Sequence, residues 1–379
     1  MVVSHTYITT LNRDKWKVFT TQYPDTSLTL VFPQHWPSTL FTHKASIDPL
    51  EQTANYTPIA LPTQREGNEL LYTYHHKPLF ELMKSVRPDL IYVEQGTNAL
   101  SYAQINFYAK RLGLITKNIF FTWVNWNPAH SLKSKLFLTP IEHFNLACSA
   151  GAIVGNNDAK TILLNKGFKK PIIVLPQLGV NQYLFKPAEQ PIIEHTKKYI
   201  GYIGRITEEK GIFFLVHAFL ALAELFPDWS LVFVGKGDAL HRLRSFVASK
   251  QMLHRVEFCD PVPHNQIATM LQKMNLLVLP SYDTSSWREQ FGHVIIEAMA
   301  CNVPVLGSNA GEIPHVIGDA GLIFEQRNAN ALLTQLQTLL QDNALRKTLG
   351  ELGYARVHNH YTHEIIAAKT IDFWRQILK

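Results

Sequence analysis

Cysteine is scarce in this chain. Three occur in 379 residues, Cys148, Cys259 and Cys301, scattered and without metal-ligand spacing. An odd, dispersed set argues against a disulfide-stapled scaffold and for a reducing compartment. No secretory leader is expected, because Met1-Val2-Val3 runs straight into the polar Ser4-His5-Thr6. Long apolar runs are lacking as well: the longest, Gly211 to Phe226, carries His217 and Glu224 and is too short to span a bilayer. The chain shows no internal repeat and no nucleic-acid-binding signature, so nucleic acid is not an expected partner.

What is present is apolar residue in quantity. A hydrophobic content of 46% supports sizeable interiors, and 379 residues favour two domains over one. Charge is uneven. Through Pro187 there are 18 Lys and Arg against 11 Asp and Glu, while the remainder carries 18 against 19, giving +6 in all. The excess gathers between Lys110 and Lys186, at Lys133, Lys135, Lys166, Lys169 and Lys170 among others. Such a face suits an anionic membrane surface, or is simply a set of solvated helix lysines. The expected location is the cytoplasm, with the inner membrane surface as a peripheral site.

Short apolar, β-branched runs alternate with helical patterns almost throughout, the mark of parallel α/β units. In the first half the strands fall at Leu28–Phe32, Leu90–Val93, Ile119–Thr122, Ala152–Val154 and Ile172–Leu175. In the second they fall at Tyr199–Ile203, Leu231–Val234, Val256–Phe258, Leu276–Leu279, Val303–Leu306 and Leu322–Phe324. The Pro176 to Pro187 stretch reads as a linker. The expectation is therefore two doubly wound, Rossmann-like sheets. Ligands bind such sheets at the carboxyl ends of their strands, which makes the crevice between two facing domains the natural site.

Three features gather at one such edge of the second domain. Arg288-Glu289-Gln290-Phe291-Gly292 leads into an apolar helix that carries Glu297, seven residues separating the two carboxylates. Gly292 permits close backbone approach, and the helix start offers N–H groups to an anion. Two carboxylates flanking an anion site suit a ligand with hydroxyls at both ends and phosphate in the middle, the layout of a nucleotide-sugar. Acidic residues near a helix start also arise merely by complementing its dipole. Gly204-Arg205 ends one strand and Lys210-Gly211 opens the next helix. Arg205 and Lys210 suit a departing diphosphate, or are surface bases paired with Glu208 and Glu209. Gly235-Lys236-Gly237 closes another strand, a pattern that by itself is only a tight turn.

As an ordered set, Gly204-Arg205…Lys210-Gly211, Phe233 to Gly237, Glu289…Glu297, Gly311-Glu312-Ile313-Pro314 and Gly318-Asp319-Ala320-Gly321 resemble retaining glycosyltransferase family 4. The likeness is good from about residue 150 to 358 and loose before 115. It implies the GT-B fold: residues 1–187 as an acceptor domain rejoined by a C-terminal helix over 360–379, and 188–359 as the nucleotide-sugar donor domain. It implies a hexosyl transfer with retention, from a nucleotide-diphosphate sugar to a saccharide or lipid-linked saccharide, in polysaccharide or glycoconjugate synthesis. Neither metal nor cofactor is implied, in keeping with the lack of any Asp-x-Asp pair.

By position, Arg205 and Lys210 would bind the diphosphate, Glu289 the transferred sugar and Glu297 the ribose. Gly204, Gly235, Gln290, Phe291 and Gly292 would line the donor. Trp374 would anchor the returning helix. The first domain departs from the pattern: Ser4-His5-Thr6-Tyr7 stands in place of a glycine-rich turn. Its acceptor-side candidates are His5, Glu94, Asn125 and His130. A nucleotide-sugar epimerase of the same fold, acting without acceptor, and a non-catalytic sugar-nucleotide binder remain as alternatives.

Overall fold

The computed structural model describes residues 1–37, 49–126, 132–189 and 197–379, the side chains of 132–135 excepted. The chain divides into two units, Met1–Gly179 with His363–Lys379, and Val180–Thr362.

The first unit holds a seven-stranded sheet in the order Tyr56–Leu61, Leu28–Pro33, Val2–Val3, Leu90–Val93, Lys117–Thr122, Ser149–Val154 and Ile172–Val174. Every pairing in it is parallel. The third strand in that order is only two residues long, yet Val2 aligns with Leu30 on one side and Tyr92 on the other. Both valines are fully buried, as a parallel strand covered on two faces requires.

Two of the longer elements of this unit lie beyond the strands and helices expected from pattern. The helix Thr10–Gln22 buries Trp16 and Phe19 but also Arg13 and Lys15, so its inward face does not read as an apolar stripe. The strand Tyr56–Leu61 contains Pro58, which argues against a strand interior. It is tolerated because this strand sits at the sheet edge, paired only with Leu28–Pro33.

The C-terminal helix His363–Leu378 lies against Thr10–Gln22, as the expected return to the first domain requires. Trp374 stacks on Trp16 with ring centres 5.7 Å apart and planes 21° apart, and meets Phe19 and Tyr92 at 5.2 and 5.8 Å. Burying two indoles and a run of Ile and Phe along one helix face contributes several kcal/mol, roughly 1.5–3 for each large side chain.

The second unit carries six parallel strands in the order Val256–Cys259, Trp229–Val234, Lys198–Ile203, Leu276–Leu279, Val305–Ser308 and Gly321–Phe324. Counted within the unit, the order is third, second, first, fourth, fifth, sixth, the doubly wound arrangement. Its switch point lies between Lys198–Ile203 and Leu276–Leu279. Near the start of the unit, Val180 pairs with Thr362 and its N–H donates to Tyr361 O at 2.8 Å.

Candidate functional site

The site is built on the carboxyl edge of the second sheet, at that switch point. The chain leaves Lys198–Ile203 through Gly204 and Arg205, makes a 3-10 turn over Glu208–Lys210, and enters the helix Ile212–Leu222. Gly211 joins turn to helix at φ +70°, and a Cβ there would stand 1.9 Å from Pro280 O. Only glycine lets this turn pass so close to the chain leaving Leu276–Leu279. That crossing brings Lys210 to Glu289, 79 residues away in sequence.

Lys210 Nζ donates to Glu289 Oε2 at 2.6 Å, with the two side chains only 12% and 10% exposed. Ser281 Oγ donates to the same oxygen at 3.0 Å, and the Lys210 ammonium lies 4.6 Å from the Trp287 ring centre. A charge pair so shielded from water is electrostatically stronger than an exposed one. It holds a cation and a carboxylate ready at one point. The backbone of Glu289 is tied in turn, its carbonyl accepting from Glu312 N at 3.1 Å.

Arg205 behaves differently. Its side chain is half exposed and, among the described residues, its ion pair is with Glu209 at 3.9 Å, a contact of little strength. Its backbone carbonyl accepts from Tyr202 Oη, which orients the turn. Gly204 N donates to Val234 O at 3.1 Å, which sets Gly204 beside the Gly235 turn.

Gly292, at φ +82°, caps the helix His293–Ala300, the geometry that turns the chain from Glu289 into that helix. Gln290 lies part-exposed ahead of it, and Phe291 is buried with its ring 4.9 Å from His293 and 5.7 Å from Tyr361. Glu297, one turn in, has Oε1 at 2.8 Å from His264 Nε2. Burial holds His293 below its ordinary pKa against the pull of Glu297, so that ring is kept neutral.

Lys210, Glu289, Gly292 and Glu297 thus share one sheet edge with Arg205, Gly204 and Gly235. Sequence reasoning missed Ser281, Trp287 and His264. Ser281 and Trp287 flank Glu289 on its own segment and were within reach of a closer reading. His264 pairs with Glu297 from another helix, His264–Leu271, and no local pattern announces it.

In the first unit, His5 and Glu94 follow adjacent strands at that sheet's own switch point. Glu94 is sealed from water: Lys15 Nζ donates to its Oε1 at 2.9 Å, Gln177 Nε2 to its Oε2 at 2.8 Å, and Tyr7 Oη to its Oε2. Lys15 also donates to Gln177 O at 2.6 Å. The Glu94 carboxylate therefore faces a buried cation rather than solvent. His5 lies 2.7 Å from Gln95 Nε2 through Nδ1 and 3.4 Å from Glu69 Oε1 through Nε2, its ring 4.6 Å from Trp36. Asn125 is buried beyond the strand Lys117–Thr122. His130 lies outside the described residues. Among the described residues no cluster of His, Cys, Asp and Glu is arranged to hold a metal ion, and no helix is long and apolar enough to cross a membrane.

Residues 186–356 match the family model for glycosyl transferases group 1. Relatives include the capsular polysaccharide biosynthesis glycosyltransferase CapM of Staphylococcus aureus, 29% identical over 187 residues, which are 48% of this chain and 46% of that one. Another is the N-acetyl-alpha-D-glucosaminyl L-malate synthase of Bacillus anthracis, 28% identical over 189 residues, covering 49% and 48%. The chain spans about half the length of the curated relatives it matches. Solved structures align over nearly the whole chain. Sucrose-phosphate synthase from Thermosynechococcus elongatus superposes with TM-score 0.69 at 20% identity, over 99% of this chain and 98% of that one. Anabaena Alr3699/HepE in complex with UDP superposes with TM-score 0.73 at 16% identity, over 99% and 98%. The chain has the GT-B fold of two Rossmann-like domains, and its second unit carries a segment matching the glycosyl transferases group 1 model.

Proposed function

We propose that this protein is a glycosyltransferase that moves a hexose from a nucleotide-diphosphate sugar to a saccharide or lipid-linked saccharide. The observation that carries the reading is the shielded Lys210–Glu289 pair at the switch point of a domain matching glycosyl transferases group 1. Known relatives and neighbours support the substrate class: one neighbour is solved with UDP and glucose.

In this reading the donor diphosphate takes Lys210 as its counter-ion and Arg205 as a bidentate partner. Glu289, released from Lys210, accepts hydroxyls of the transferred sugar, while Glu297 accepts ribose hydroxyls. As the bond from the anomeric carbon to the phosphate oxygen breaks, negative charge grows on the diphosphate, where both cations stabilise it. The acceptor oxygen bonds to the anomeric carbon on the same face, and its proton passes to the departing phosphate. Configuration is retained, as in family 4, and neither metal nor organic cofactor takes part. The enzyme works in the cytoplasm, with the basic first half resting on an anionic membrane surface.

The test is a thermal-shift screen with UDP-, GDP- and ADP-sugars, since a ligand that binds only the folded state raises the melting temperature. The stabilising donor is then incubated with acceptor and chelator, and the anomeric proton coupling of the product is read by NMR. Transfer with the donor's own configuration in chelator is expected. An epimer formed without acceptor assigns the protein to the epimerases instead. No shift with any donor sinks the donor site.

A further inference from the structure

A cavity of about 610 Å³ opens beside the Glu208–Lys210 turn, within the size range of small-ligand sites, and none of the proposed donor roles uses it. Phe213, Phe214 and Tyr282 supply its aromatic wall, Arg242 and Arg327 its cations, and His217 and Glu208 line it beside them. We propose that this cavity is a subsite for an acidic saccharide, a sugar chain bearing carboxylate or phosphate groups.

Part-exposed aromatic faces pack against the C–H faces of sugar rings, and guanidinium groups fork carboxylate or phosphate oxygens. The cations are placed for this. Arg327 takes φ +60°, a backbone conformation costly for any residue but glycine, and its guanidinium lies 4.6 Å from the Tyr282 ring centre. Arg242 lies 4.9 Å from the Phe213 ring centre. It pairs with the Glu208 carboxylate at 2.5 Å, with side chains 60% and 62% exposed. Water weakens so open a pair, and an incoming anion displaces Glu208 at small cost.

The cavity adjoins the Glu289 end of the donor site. Gly211, in its wall, follows Lys210, and Tyr282 follows Ser281, which donates to Glu289. Tyr282 N donates to Glu209 O at 2.9 Å, fastening the two walls together. A saccharide held here is an acceptor, a role that rests on the transferase reading; the binding itself does not.

The experiment titrates the full-length protein calorimetrically with three probes: a hexasaccharide of alternating glucuronate and N-acetylglucosamine, a phosphorylated mannopentaose, and neutral maltohexaose. Each is repeated on Arg242→Ala/Arg327→Gly. Glycine at 327 removes the cation while relieving the positive φ, and melting temperature and nucleoside diphosphate affinity confirm an intact fold. At least one acidic probe should bind, at least tenfold more weakly in the double variant, and maltohexaose more weakly than that probe. Which acidic probe binds distinguishes carboxylate from phosphate. Equal binding of maltohexaose, undiminished binding in the double variant, or no acidic probe bound overturns the subsite. Acidic-saccharide binding without any donor turnover sinks the transferase reading and leaves the subsite standing.

Discussion

Replacing Glu289 with Gln tests whether the Lys210–Glu289 pair is a lock that the donor opens. At 2.6 Å and an effective dielectric of about 20, the gross attraction is about 6 kcal/mol. Desolvation takes back most of it, leaving a net of about 1.5–3 kcal/mol, as for hydrogen bonds to charged groups. The amide keeps the shape and one acceptor but leaves the Lys210 ammonium short of a counter-charge. The variant should therefore lose about 1.5–3 kcal/mol of stability, less whatever the Trp287 face returns to the cation. Nucleoside diphosphate supplies the missing charge. Its affinity for Glu289→Gln, by calorimetry, should equal or exceed that of the wild type, because no carboxylate competes for Lys210. Turnover should fall at least about tenfold through the lost sugar contact. Lys210→Met should do the reverse to binding, weakening the nucleotide by about tenfold or more, the scale of one lost charged contact near 1.4 kcal/mol. Weakening of nucleotide binding by Glu289→Gln to the same extent as Lys210→Met would refute the idea that phosphate replaces Glu289 at Lys210.

Arg205→Ala should lower kcat/KM by about tenfold or more while leaving the melting temperature unchanged, since its side chain is half exposed and its contact with Glu209 is long. Gly211→Ala should lower the melting temperature by several degrees, because the new Cβ stands 1.9 Å from Pro280 O at a φ of +70°; an unshifted melt would deny that the turn is so tightly crossed. Glu94→Gln should cost about 3–5 kcal/mol by stranding Lys15, as chemical denaturation will show. Burial holds Lys15 below its ordinary 10.5, so the folded Glu94→Gln protein sheds the proton first and regains stability as pH climbs toward that value. Trp374→Ala should cost about 3–5 kcal/mol through loss of the Trp16 stack, and a melt within a degree of wild type would show that the terminal helix is not held there.

The order in which these residues were legible follows from how far each contact reaches along the chain. The second sheet was readable because its strands are apolar runs buried on both faces, and Glu289, Gly292 and Glu297 because one loop and one helix carry all three. The doubly wound pattern even fixed which sheet edge to look at, since a strand end is a local fact and the switch point follows from strand order. Pairing was not readable. Lys210 meets Glu289 only because a glycine lets one turn pass under Pro280 O, and Glu297 meets His264 only because two helices pack. In the first unit the same limit hid more. Glu94 stands where a strand-end carboxylate should stand, but its partner comes from a helix whose buried Arg13 and Lys15 disguise it as a polar surface element. A buried cation blurs the apolar stripe that marks a helix, so the element and the ion pair it supplies vanish from the sequence together. Of the first-unit candidates among the described residues, His5 and Glu94 are each engaged by neighbours, Glu94 by a buried cation. That burial is why acceptor chemistry is better sought in solvent-exposed cations: Arg242 pairs with Glu208 and Arg327 donates to Asp283 O, but both contacts face water where that of Lys15 does not.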